Sequence, residues 1–65
     1  MKTKELKRLA QRIAKLESTL EQTSDPEVSR QTQNEIMELS SRISDPEDLF
    51  KIDEFVQEIL ENENS

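Results

Sequence analysis

The chain has 65 residues, with nine Lys and Arg against fifteen Asp and Glu, for a formal net charge of −6. It contains no His, Cys, Gly, Trp or Tyr, which removes the commonest general base, the thiol nucleophile and soft metal ligand, and the glycine loops that approach phosphates. One small domain is expected, with no disulfide framework. No apolar run exceeds two residues, so neither a signal-peptide core nor a membrane span is present, and a cytoplasmic, non-enzymatic protein without cofactor or metal is the expectation.

At 31% apolar and 37% charged residues, composition sits on the border between folded and disordered chains, and pattern decides for folding. Leu6, Leu9, Ile13, Leu16 and Leu20 alternate spacings of three and four, which puts all five on one stripe of a helix over residues 3–22. The segment Ser24-Asp25-Pro26-Glu27 then recurs as Ser44-Asp45-Pro46-Glu47. Each reads as a helix start. Ser or Asp can accept from an early backbone N–H, Pro presets φ and lacks the donor that would go unpaired, and Glu favours the positive end of the dipole. Ser-x-x-Glu is also a capping box, so either Ser or Asp can be the N-cap.

The second helix is expected over 26–43, with Val28, Ile36, Met37, Leu39 and Ile43 among polar residues. The third is expected over 46–62, with Leu49, Ile52, Val56 and Ile59 on its seam and Phe55 and Leu60 on the flanks, the broadest apolar face of the three. Residues 61–65 carry no apolar side chain and are expected to fray.

Folding the first helix back on the second sets Ile13 against Ile36, Leu9 against Leu39 and Leu6 against Ile43. Folding the third back on the second sets Leu39 against Ile52 and Ile36 against Val56. The fold class is therefore all-α: a small up-down-up three-helix bundle, an antiparallel helical hairpin plus a third helix, with packing that loosens toward Leu20 and Val28. A core this small is often completed by a second copy, so dimerisation fits the same reading.

Charge is strongly polarised. Residues 1–22 hold six of the nine cations and three acids, a net +3, whereas residues 44–65 hold eight acids against Lys51, a net −7. With the first and third helices as parallel neighbours, Arg8, Arg12 and Lys15 would reach Glu54, Glu58 or Glu61. Met37 flanks its stripe, and Phe50 lies about 140° from the centre of its own, so that it either tucks under the turn or faces outward. The functional expectation is a protein-interaction or regulatory module. It would bind a protein partner or itself through Met37 and Phe50, flanked by Glu47, Asp48, Glu54, Glu58 and Glu61.

The rival is a nucleic-acid-associated accessory protein using Lys4, Lys7, Arg8, Arg12 and Lys15. The first helix has no stacking aromatic, and the rest of the chain repels a polyanion, so protein partners come first. A calcium loop would need a glycine at its turn, and Glu35-x-x-Glu38 and Glu58-x-x-Glu61 supply only half of a di-metal carboxylate motif.

Overall fold

The computed structural model describes residues 2–63. Three helices account for almost all of them: α1 (Thr3–Gln22), α2 (Pro26–Ser41) and α3 (Pro46–Glu63). The protein is a small all-α bundle, as the spacing predicts, and α1 has the expected bounds.

The two repeated helix starts resolve in favour of aspartate. The Glu27 backbone N–H donates to Asp25 Oδ1 at 2.9 Å, and the Glu47 N–H donates to Asp45 Oδ1 at the same distance. The carbonyls of Asp25 and Asp45 then accept the first helical bonds, from Ser29 and Leu49. Pro26 and Pro46 each occupy the position after the cap, where no donor is needed. Between α1 and α2, Thr23 closes the first helix through its N–H to the Thr19 carbonyl, and its hydroxyl accepts from the Asp25 N–H.

α2 ends earlier than its apolar pattern suggests. The helix stops at Ser41, the Arg42 and Ile43 N–H groups bond back to Leu39 and Ser40, and Ile43 enters the core from the connection. Carrying an apolar side chain inward from a turn closes the short link to α3. At the other end of the chain, α3 continues through Glu63 and so includes most of the segment expected to fray. Residues 64 and 65 lie outside the described residues.

The central element is α1, not α2. It packs against both other helices, while α2 and α3 scarcely touch. The core is Leu6, Ala10, Ile13 and Ala14 of α1, Ile52 and Val56 of α3, and Ile43. The most buried helix is therefore the first, where the breadth of apolar face had pointed to the third. Ala10 and Ala14 are both 0% exposed. They share the flank of α1 that carries Lys7 and Gln11, and those two border Phe55, Glu58 and Ile59 of α3. Two alanines one turn apart remove side-chain bulk where α3 crosses, so the helices can approach closely. On its other flank α1 meets α2, as the Arg12 to Glu35 ion pair marks.

Along α1 from Lys7 to Glu17, the α3 neighbours step back from Phe55–Ile59 to Leu49–Val56. The expected charge pairing is thereby replaced: Arg12 bonds Glu35 of α2 at 3.4 Å, and Lys7 sits 5.7 Å from the Phe55 ring centroid. With two helices laid on a third, the molecule is flattened, 35 × 29 × 15 Å. Its radius of gyration of 12.0 Å exceeds the roughly 11 Å of a compact chain of this length.

Candidate partner-binding surface

α3 turns Asp48, Ile52 and Val56 inward, a row at four-residue spacing that must lie along one helix face. Phe50 lies nearly opposite that row and is 66% exposed. It does not tuck under the turn. One shallow depression beside it is lined by Pro46, Glu47 and Lys51, and another by Asp53, Glu54, Phe55, Gln57, Glu58 and Glu61. The structure thus brings Phe50 together with Glu47, Glu54, Glu58 and Glu61 on one outer face.

Two of the expected residues do not join this face. Asp48 is only 9% exposed, because it sits one turn before Ile52 and points the same way, toward the bundle. Met37, at 69% the more exposed apolar residue, projects from α2 and belongs to neither Phe50 depression. The basic residues of α1 are exposed, but Arg12 is engaged with Glu35 and Lys7 with the Phe55 ring. Lys4, Arg8 and Lys15 remain on the solvent side, a narrow stripe with no aromatic residue beside it.

A second feature was not read from the sequence. Because α2 and α3 lie on separate flanks of α1, a cleft of about 210 Å³ opens between them, lined by Ile13, Glu17, Ile36, Ser40, Ile43, Leu49, Ile52, Asp53 and Val56. Leu49, expected on the buried seam, is 41% exposed at the edge of this cleft. Its neighbour Asp48 takes the inward position instead, because four-residue spacing sets it in line with Ile52 and Val56. Glu17 lies one helical turn beyond Ile13, and that spacing was the available signal, since it sets an acid on the apolar side of α1.

Burial raises the pKa of Glu17 above its ordinary value, and the nearby negative charges of Asp53 and Glu21 add to the effect. A carboxyl that holds its proton more tightly when folded stabilises the fold below its unfolded value near 4.5, and that contribution is lost as pH rises through the raised folded value. Glu17→Gln should therefore raise the thermal midpoint at pH 7 by no more than a few degrees, because water screens this partly exposed group. The gain should fade on acidification below the unfolded value, where Glu17 is neutral in both states. Melting curves at pH 7 and at about pH 4 check this, and an unchanged or lowered midpoint at pH 7 contradicts it.

Among the described residues no group of three or more acidic, His or Cys side chains is placed to hold a metal ion, and no helix is long and apolar enough to cross a membrane. Comparison with protein-family models, with curated proteins and with solved structures finds no match.

Proposed function

We propose that the protein is a non-enzymatic binding module whose contact surface is the outer face of α3. Phe50 serves as the apolar anchor, and Glu47, Glu54, Glu58 and Glu61 supply orientation. The reading rests on one observation, the exposure of Phe50 in the middle of these carboxylates. Removing a phenyl ring from water is the larger source of affinity at a small interface. The carboxylates steer the approach of a basic partner and reject acidic ones. The complementary surface is an apolar pocket rimmed by Lys or Arg. A second copy carries most of its cations on α1.

The test compares wild type with Phe50→Ala and with Glu54→Lys/Glu58→Lys, by affinity capture from native lysate and by sedimentation equilibrium. All three proteins should keep their helical circular dichroism, with stability changed by no more than about 0.5 kcal/mol. Phe50→Ala should weaken capture or self-association about fivefold or more, as truncation of an anchor costs over 1 kcal/mol. An unchanged set of captured proteins and an unchanged sedimentation profile would contradict the assignment, as would unfolding of Phe50→Ala.

A further inference from the structure

The cleft between α2 and α3 is a different surface from the Phe50 face, and its chemistry is specific. Its floor and walls are aliphatic: Ile13, Ile36, Ile43, Leu49, Ile52 and Val56. The charges in its lining are Glu17 and Asp53, both acidic. On α1 the order is Ile13 then Glu17, and on α3 it is Leu49 then Asp53. Each helix therefore sets a carboxylate one turn, about 6 Å, from an apolar cleft residue.

We propose that this cleft receives a basic amphipathic helix from a partner protein, inserting aliphatic side chains between Ile36 and Leu49 and placing a Lys or Arg against Glu17 and Asp53. A helix with Leu and Lys four residues apart repeats the apolar-to-charge spacing that α1 and α3 present. Docked there, it would complete a four-helix arrangement and cover the sides of α2 and α3 that face each other across the cleft. Charge and apolar content together select this occupant over a second copy: the exposed cations of its α1, Lys4, Arg8 and Lys15, have no exposed large apolar residue on that helix to enter the cleft. The exposed aromatic of a second copy, Phe50, arrives with Glu47, Glu54 and Glu61 around it, which would crowd acids against an acidic cleft. The mutual repulsion of Glu17 with Asp53 and Glu21 points the same way, because a cation at this position relieves it.

The experiment uses the full chain with labelled Ile, Leu and Val methyl groups and three synthetic 16-residue helical peptides on an Ala/Gln host. One carries Leu and Lys at four-residue spacing, one has Glu for each Lys, and one has Ala for each Leu. The Leu/Lys peptide should shift the methyl signals of Ile13, Ile36, Leu49 and Ile52. Binding should fall about tenfold or more with the Glu peptide, with the Ala peptide, and with the Glu17→Gln/Asp53→Asn protein. That variant relieves repulsion and should remain folded, which circular dichroism verifies; Glu17→Gln alone, giving a smaller loss, serves as the second variant.

No methyl shift up to about 1 mM Leu/Lys peptide would overturn the proposal. So would equal binding to the double variant, equal binding of the Ala peptide, or methyl shifts that leave Ile36 and Leu49 unmoved. Cleft methyls that move with protein concentration alone, with a dimer in sedimentation, would overturn it in favour of a second copy. None of these outcomes depends on Phe50→Ala, so failure here is distinguishable from failure of the α3 surface.

Discussion

Leu6→Ala should cost about 2–5 kcal/mol and leave the chain largely unfolded at 25 °C. Leu6 is the largest fully buried side chain, and it lies in the cluster that joins α1 to Ile43, Ile52 and Val56. Truncation removes its transfer free energy and leaves a space that α2 and α3, each braced on one side only, cannot fill without losing their other contacts. In a domain of this size total stability is of order 3–5 kcal/mol, so the loss is comparable to the whole. Urea titration followed by circular dichroism checks it. A midpoint within about 0.5 kcal/mol of wild type would mean that Leu6 is not in a core.

Ala10→Leu should also destabilise, by about 1–3 kcal/mol or more, through overpacking. This substitution separates two pictures of α1. If its only buried stripe were the leucine seam facing α2, residue 10 would lie off that seam and a leucine, itself a good helix former, would be nearly neutral. In the structure Ala10 is fully enclosed on the flank that meets α3, and three added carbons have nowhere to go except between the two helices. In a domain of 60–100 residues each kcal/mol lowers the midpoint by about 4–8 °C, so a melting curve resolves the outcome. Ala14→Leu should behave alike, as it lies one turn along the same flank.

The same two alanines show where sequence reasoning reached its limit. The two Ser-Asp-Pro-Glu helix starts were legible because capping is local chemistry, an acceptor, a proline and an acid in consecutive positions, whereas the choice of Asp25 and Asp45 over the preceding serines came from the structure. The span of α1 was legible because large aliphatic residues at alternating spacings leave little choice of face. Alanine carries little such signal: it is the best helix former and sits comfortably on any face, so Ala10 and Ala14 marked no surface until a second helix was placed against them. Without them α1 had one apolar stripe and α2 was given the central role.

The first turn of α3 failed for a related reason. Leu49 and Asp48 are adjacent, and apolar character favoured Leu49 for the core. Packing on α1 turned the row of Asp48, Ile52 and Val56 inward and left Leu49 at the cleft edge. Of the candidate site, helical angle set Phe50 off the seam of α3 but left it either tucked under the turn or facing outward, and its 66% exposure decides between them. The cleft and Glu17 did not follow from helical angle, since a space between two helices exists only once their common neighbour is known.

Both the core and the cleft depend on α1 carrying a helix on each flank, and nuclear Overhauser contacts from the Ala10 and Ala14 methyl groups test this directly. They should reach side-chain protons of α3, with Ile13 in contact with both Ile36 and Ile52. Alanine methyls that show only contacts within α1, with Leu39 packed directly on Ile52, would place α2 at the centre and close the cleft.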